Sequence, residues 1–136
     1  MFEIDPAFLA TSHALGELPI SHARLQDDAR YPWIVLIPRQ VGARELEDLA
    51  REELAALTDE ILAAGRAVRA LGFQVDKLNV GALGNVTPQL HVHVIGRRAQ
   101  DPAWPGPVWG HSPAEPYRAE HLAAVVAAAR AALGLA

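Results

Sequence analysis

Residues 43–72 constrain the fold of this chain more than any other segment, because their apolar side chains recur at intervals of three or four positions. This spacing predicts a long amphipathic helix, which Gly72 would end. The apolar stripe consists of Leu46, Leu49, Ala50, Leu54, Leu57, Ile61, Ala64, Val68 and Leu71. A helix with such a stripe must bury it against another element. The segments on either side of the helix are therefore expected to supply that element.

Both flanking segments have strand patterns. Before the helix, residues 21–25 alternate loosely, a polar turn follows, and the β-branched run WIVLIP stops at Pro38, which predicts a hairpin. After the helix, residues 73–84 and 89–96 predict two more strands, joined by the tight segment NVTP. The predicted class is α+β, with an antiparallel sheet of four or five strands and helices on one sheet face.

A helix is also predicted near each end of the chain. Asp5 is a suitable N-cap and Pro6 fits the first helical position, which predicts a short helix over residues 6–12. A loop rich in proline, glycine and tryptophan ends in SPAE, a capping box that predicts a last helix over residues 116–133. With 136 residues in total, the chain is expected to form a single domain, residues 1–136.

The composition argues against several classes of function. The hydrophobic content is 51%, yet no apolar run is long enough to span a bilayer, so we expect no membrane interaction. The net charge of -4 argues against binding of a nucleic-acid polymer, which needs many Lys and Arg side chains to neutralise phosphates. The sequence has no cysteine and its N-terminus lacks a signal-peptide pattern. We therefore expect a cytoplasmic location, without disulfides or a thiol nucleophile.

The segment QLHVHVI carries the strongest functional signal. In a strand, Gln89, His91 and His93 would share one face, while the apolar residues between them would share the other. Because an antiparallel sheet can leave one face to water, we expect the two histidines to face an accessible groove. Three interpretations are compatible with the pattern: ordinary surface histidines, a metal site that lacks a third charged ligand, and a histidine nucleophile that attacks phosphorus.

QLHVHVI resembles the signature of the histidine triad superfamily, in which three histidines alternate with apolar residues, except that Gln89 stands at the position of the first histidine. WIVLIPR is similar to the family's strand that ends in Ile-Pro and a basic residue, and LNVGALGN to its asparagine-containing strand and glycine turn. The resemblance covers roughly residues 21–109. It implies a five-stranded antiparallel sheet with one long helix and one C-terminal helix packed on one face.

The resemblance also implies a role for each triad position. His91 matches the middle histidine, which attacks the α-phosphorus of a nucleotide and forms a covalent nucleotidyl-histidine. His93 matches the last histidine, which contacts the phosphate near the leaving group. The backbone carbonyl of the first triad residue orients the middle ring, and Gln89 can supply this carbonyl with any side chain. The amide of Gln89 is expected to keep a hydrogen-bond network at the site without a titratable group.

Five further residues are candidates for nucleotide binding: Asp27, Asn79, Gly84, Asn85 and Thr87. Asp27 resembles the family's ribose-binding aspartate, with the neighbouring Asp28 as an alternative. The two asparagines are candidate donors to phosphate oxygens, Gly84 allows close approach of the backbone, and Thr87 offers a hydroxyl. Trp33 stands where one branch of the family has an additional histidine beside the reaction centre.

The activity that the resemblance implies is that of a hydrolase or transferase acting at the α-phosphate of a nucleotide. The nucleotide would carry a leaving group, as in a dinucleoside polyphosphate or a nucleoside phosphoramidate. A protein that binds a mononucleotide without turning it over is the alternative, because the first triad histidine is replaced. No cofactor or metal is expected. The resemblance further implies a homodimer, and the loop AWPGPVW, with Trp104 and Trp109, is a candidate contact with the partner subunit.

Overall fold

The computed structural model describes residues 1–135, and within them it contains a five-stranded antiparallel sheet. In chain order the elements are α1 (Pro6–Thr11), β1 (Ser12–Glu17), β2 (Ser21–Gln26), β3 (Trp33–Pro38), a 3₁₀-helix (Leu46–Asp48), α2 (Arg51–Val68), β4 (Lys77–Gly81), β5 (Val92–Arg97) and α3 (Ala119–Ala132). The strand order across the sheet is β1-β2-β3-β5-β4, and every neighbouring pair is antiparallel. The predicted α+β class and five-stranded sheet are confirmed.

Both long helices pack on the same face of the sheet, as predicted. Leu57, Ala64 and Val68 of α2 and Val125 and Ala129 of α3 are buried in one cluster. The strand residues of this cluster include Leu25, Ile34, Leu36, Val92 and Val94. Burial of these apolar side chains is the main favourable contribution to the stability of the fold.

Most of the opposite face of the sheet is covered by other parts of the chain, which corrects the expectation that this face is left to water. A second buried cluster covers the face and consists of Phe8, Tyr31, Trp33, Val35, Ile37, Ile95, Ala103 and Val108. Phe8 comes from α1, while Ala103 and Val108 come from the segment 101–110, which we call the tryptophan loop. Every residue of β3 and β5 is consequently buried.

A buried ion pair holds the tryptophan loop on the sheet. The Arg97 guanidinium, at the end of β5, donates from Nε to Asp101 Oδ2 at 2.7 Å and from Nη2 to Asp101 Oδ1 at 2.9 Å. The same group also donates to the Gly106 carbonyl at 2.9 Å. Arg97 is only 2% exposed. Arginines at strand ends are usually solvated, but Arg97 is buried and anchors the tryptophan loop to the sheet.

The long central helix is shorter than predicted, because acidic side chains interrupt it. Leu49 has extended backbone angles and is buried in the core, so the 3₁₀-helix and α2 are separate elements. The Asp48 carboxylate accepts from the backbone N–H groups of Arg44 and Glu45, and Glu53 accepts from the N–H of Ala50. These side chains cap helix starts, a role that spacing alone does not show. At the other end α2 stops at Val68, before Gly72.

The terminal segments agree with the predictions in part. Asp5 caps α1, which ends at Thr11, and its side chain accepts from the Ala7 N–H at 2.9 Å. The chain then enters β1, a strand that was not predicted. The capping box at SPAE does not form: α3 begins at Ala119, and the Ser112 hydroxyl accepts from the Arg30 guanidinium at 2.6 Å. No helix of residues 1–135 is long and apolar enough to cross a membrane.

Candidate active site

His91 lies just before β5, with its ring held by the backbone. Its Nδ1 is 2.7 Å from the carbonyl oxygen of Gln89. A carbonyl only accepts, so Nδ1 carries the proton and the lone pair of the neutral ring is on Nε2. His91 is 6% exposed, and burial lowers the pKa of its imidazole below the ordinary value of 6.5, although the bond to the Gln89 carbonyl opposes this. The ring is thus held as a neutral base.

His93 is the second histidine of the site and lies within β5. Its Nδ1 is 3.0 Å from Nε1 of Trp33, which is on the neighbouring strand β3. Burial, reinforced by the nearby His91, lowers the pKa of His93 to about 3. Both histidines are therefore neutral in the folded protein at neutral pH. They are not the solvated surface histidines of the first interpretation.

Aromatic side chains enclose the two imidazoles. The rings of His91 and His93 meet edge to face with centroids 4.8 Å apart. Phe8 of α1 lies against His91 at 4.7 Å, and Trp109 of the tryptophan loop lies against His93 at 5.3 Å. These edge-to-face contacts favour one orientation of each ring.

A cavity of about 470 Å³ opens onto these rings. Its lining consists of Ala7, Phe8, Thr11, Gln26, Leu83, Gly84, Asn85, Val86, Thr87, His91, His93 and Trp109. Gly84 has a φ of +83°, a backbone conformation that an L side chain rarely adopts. The glycine therefore sets the path of the loop that passes over the cavity. Three of the predicted binding residues, Gly84, Asn85 and Thr87, lie together in this loop beside the histidines.

Contrary to the prediction from the sequence, the side chain of Gln89 does not share a strand face with His91 and His93 but points toward the N-terminal segment. Gln89 lies before the start of β5, so the alternation of the strand does not govern it. Its Oε1 accepts from the backbone N–H of Asp5 at 2.9 Å, and its Nε2 donates to the carbonyl of Glu3 at 2.8 Å. The amide thus ties down the N-terminal segment, residues 1–11, whose Phe8 contacts His91.

Asp27 is not brought into the cavity. Its Oδ1 accepts from the backbone N–H of Tyr117 at 3.0 Å and lies 3.2 Å from Nε2 of His13. The alternative, Asp28, is 3% exposed and forms an ion pair with Arg30 at 2.9 Å. The residue at this end of β2 that lines the cavity is Gln26. The ribose role of Asp27 therefore stays an untested prediction, with the carboxylate facing other partners.

Asn79 is also outside the cavity lining. It pairs with Ile95 in the sheet, and its side-chain oxygen accepts from Nη1 of Arg97 at 2.8 Å. Its amide is therefore part of the anchor that holds the tryptophan loop, and the predicted phosphate contact remains untested.

Sequence reasoning did not identify Phe8, Gln26 or Trp109 as parts of the site. Gln26 approaches the histidines through the strand order β2-β3-β5, and Phe8 approaches them through the position of α1 on the sheet. Trp109, a candidate either for contact with a partner subunit or for packing on its own chain, lies against His93 of its own chain. A signal was present for the covered face, since the continuous apolar run WIVLIP is typical of a strand buried on both sides.

Among residues 1–135, no group of three or more His, Cys, Asp or Glu side chains is arranged to hold a metal ion. The two site histidines use one nitrogen each for the Gln89 carbonyl and the Trp33 indole. The site therefore provides two imidazoles with different partners. The Gln89 carbonyl accepts from the ring of His91, and the Trp33 indole N–H donates to the ring of His93.

Comparison with known proteins identifies the family. The HIT domain model matches residues 8–100. A histidine triad protein from Marinobacter aquaeolei is 43% identical, covering 100% of this chain and 99% of that chain with a TM-score of 0.94. A histidine triad protein from Bradyrhizobium japonicum is 38% identical, covering 97% and 98% of the two chains with a TM-score of 0.92.

A structure with lower sequence identity is similar to this chain in fold only. A hypothetical histidine triad nucleotide-binding protein from Sulfolobus tokodaii is 18% identical and covers 94% of this chain and 89% of that one, with a TM-score of 0.66. Curated proteins gave no significant match. The family model covers most of the chain, and the Marinobacter aquaeolei and Bradyrhizobium japonicum structures exceed 30% identity over nearly its full length, so this chain belongs to the HIT domain family, the histidine triad proteins.

Proposed function

We propose that this protein is a nucleotide hydrolase or transferase that acts at the α-phosphate through a covalent nucleotidyl-His91 intermediate. The observation that carries the proposal is the hydrogen bond from His91 Nδ1 to the Gln89 carbonyl at 2.7 Å. This bond leaves the lone pair on Nε2, which is the nitrogen that can attack phosphorus. A lowered pKa keeps that lone pair unprotonated at neutral pH.

A nucleotide suits the cavity in size and chemistry. The volume of about 470 Å³ is within the range of small-molecule sites. Its lining combines apolar surface with neutral hydrogen-bonding groups, and no Lys or Arg of the described chain lines it. We therefore assign phosphate binding to the loop that contains Gly84, Asn85 and Thr87 and to the two imidazoles.

The reaction divides into two displacements. In the first, Nε2 of His91 forms a bond to the α-phosphorus while the bond to the leaving group breaks, and its electron pair departs with the leaving group. The Gln89 carbonyl continues to accept from Nδ1 and stabilises the positive charge that the phosphorylated ring acquires. In the second, water or another acceptor attacks phosphorus and releases its proton to solvent, while the bond from phosphorus to Nε2 breaks and His91 keeps the electron pair. His93 contacts the phosphate near the leaving group.

We assign two separate contributions to Gln89. Its carbonyl orients His91, and its amide holds residues 3 and 5 so that Phe8 stays against the same ring. The amide would therefore act on the nucleophile through the N-terminal segment, without contact to the reacting atoms. Replacement of the first triad histidine is compatible with catalysis, because neither contribution needs an imidazole.

The proposed function is tested by a substrate panel and by direct detection of the adduct. Diadenosine polyphosphates, adenosine phosphoramidate and nucleotide sugars are incubated with the wild type, with His91→Ala and with His111→Ala, an exposed histidine that serves as the matched control. We expect mononucleotide release by the wild type and the control, and none by His91→Ala. Intact-mass measurement after an acid-free quench is expected to detect the nucleotidyl adduct. Turnover no higher than that of His91→Ala on every substrate would refute the proposal.

A nucleotide-binding protein without turnover is the second candidate, favoured by the glutamine at the first triad position. It predicts tight binding of AMP or GMP and no adduct under single-turnover conditions. The homodimer and the cytoplasmic location likewise remain predictions. The edge position of β4, with Val80 50% exposed, supports a contact between subunits.

A further inference from the structure

The contact between Trp33 and His93 determines which nitrogen of His93 carries the proton. The indole Nε1 of Trp33 has a hydrogen and no lone pair to share, so it is a donor only. It lies 3.0 Å from Nδ1 of His93, which must therefore accept. A neutral imidazole has one N–H and one lone pair, so the proton of His93 is on Nε2. His91 has the opposite tautomer, with its proton on Nδ1.

We propose that Trp33 locks His93 as a neutral Nε2–H donor, and that this lock selects substrates whose leaving group departs as a phosphate anion over substrates that must release an amine. The inference rests on the proposed function and names the substrate class within it. Trp33 acts on the reaction through His93 and is thus a positioning residue.

The surroundings of the pair leave the indole and the imidazole little freedom to rearrange. Trp33 is 7% exposed and His93 is 9% exposed. Tyr31 and Trp109 pack edge to face on the Trp33 indole, with ring centroids 6.3 Å and 6.5 Å away. Burial disfavours the imidazolium form of His93, and a positive charge on the neighbouring His91 would disfavour it further. Protonation of Nδ1 would place two N–H groups face to face, so the hydrogen bond opposes the imidazolium form.

The consequence for the first displacement depends on the leaving group. When the bond from phosphorus to a phosphate oxygen breaks, the electron pair stays on that oxygen, and the product is a stable anion that needs no proton. The Nε2–H of His93 can donate a hydrogen bond to this anion and remain neutral. An amine leaves as a neutral molecule only if its nitrogen gains a proton as the bond to phosphorus breaks. A neutral His93 that transferred its Nε2 proton would become an imidazolate, so it cannot serve as the acid.

The tautomer can be measured without turnover. Protein labelled with ¹⁵N in histidine gives imidazole spectra in which a protonated nitrogen differs from one that holds a lone pair. In the wild type at neutral pH we expect His93 to have the lone pair on Nδ1 and the proton on Nε2. In Trp33→Phe, which removes the donor and keeps an aromatic ring, the Nδ1 resonance is expected to shift and His93 to protonate at a higher pH. Trp104→Phe, at an exposed tryptophan, is the control and should leave His93 unchanged.

Selectivity is measured with two substrates that share the AMP group. Diadenosine triphosphate releases ADP, whereas adenosine 5′-(N-propyl)phosphoramidate releases propylamine. We expect the wild type to favour the first in kcat/KM, and Trp33→Phe to shift the ratio toward the amine substrate by about tenfold or more, since general acid catalysis contributes about 10²–10⁴-fold. Trp104→Phe should keep the wild-type ratio.

Each outcome bears on a separate part of the inference. A wild-type His93 with its proton on Nδ1, or a wild type that prefers the amine substrate, would overturn it even if Trp33→Phe fails to fold. The expected tautomer with an unchanged substrate ratio in folded Trp33→Phe would overturn the selection while leaving the lock intact. Absence of turnover on both substrates would overturn the selection, and the proposed function would fall only if the nucleotide sugars of the panel also gave no turnover. The spectra would still decide the tautomer.

Discussion

Removal of the Gln89 amide separates its two proposed contributions, because Gln89→Ala keeps the backbone carbonyl that His91 donates to. The substitution deletes the hydrogen bonds to the Asp5 N–H and the Glu3 carbonyl. One of these bonds is exposed and the other part-buried, so the low end of about 0.5–1.5 kcal/mol for each is appropriate. The N-terminal segment should therefore lose about 1–2 kcal/mol of anchoring, which corresponds to about 5–30-fold more frequent opening.

Hydrogen exchange followed by mass spectrometry reads this opening directly in the peptide that covers residues 1–11. Exchange in Gln89→Ala is expected to accelerate by that factor, while the core strands stay protected. The control is Gln100→Ala, since Gln100 is an exposed glutamine in the turn after β5. In the same sample, intact-mass measurement should still detect nucleotidyl-His91, with an altered rate because Phe8 no longer holds the ring as firmly. Gln89→His should also form the adduct.

Two results would refute this reasoning. If Gln89→Ala folds and binds mononucleotide normally but never forms the adduct in a single turnover, the side chain is essential and the carbonyl argument fails. If exchange of residues 1–11 does not change, the amide does not anchor the segment.

Four other outcomes are expected. His91→Ala should abolish the adduct, whereas His93→Ala should retain slow attack with a loss of about two orders of magnitude or more in rate; an adduct in His91→Ala would refute the assignment. Burial lowers the pKa of His91, so kcat/KM should decline on the acid side with a midpoint below pH 6.5, and a midpoint above 6.5 would contradict this. Asp101→Ala leaves the Arg97 charge buried without its carboxylate, so denaturant unfolding should show a loss of about 3–5 kcal/mol. Light scattering should give a dimer mass for the wild type and a monomer mass for Val80→Lys, which places a charge on the edge strand β4; a monomeric wild type would contradict the homodimer.

Local pattern in the sequence determined several of the helices and strands. The three-to-four spacing of α2, the β-branched run of β3 and the Asp5-Pro6 start of α1 are properties of neighbouring residues, and they predicted elements that the structure contains. The resemblance at QLHVHVI identified the family for the same reason, since its residues are contiguous in the chain. The strand β1 was not predicted, because SHALGE has only weak alternation and depends on its pairing with β2.

The surroundings of the triad segment were decided only by the tertiary structure. From sequence, Gln89, His91 and His93 share a strand face, but β5 begins after His91 and the glutamine amide turns to residues 3 and 5. Trp33 and His93 lie 60 positions apart, and strand pairing alone brings their nitrogens to 3.0 Å. The residue types and the family were therefore readable from the chain. The tautomer of each histidine was not, because it depends on which distant donor or acceptor the fold places beside each ring.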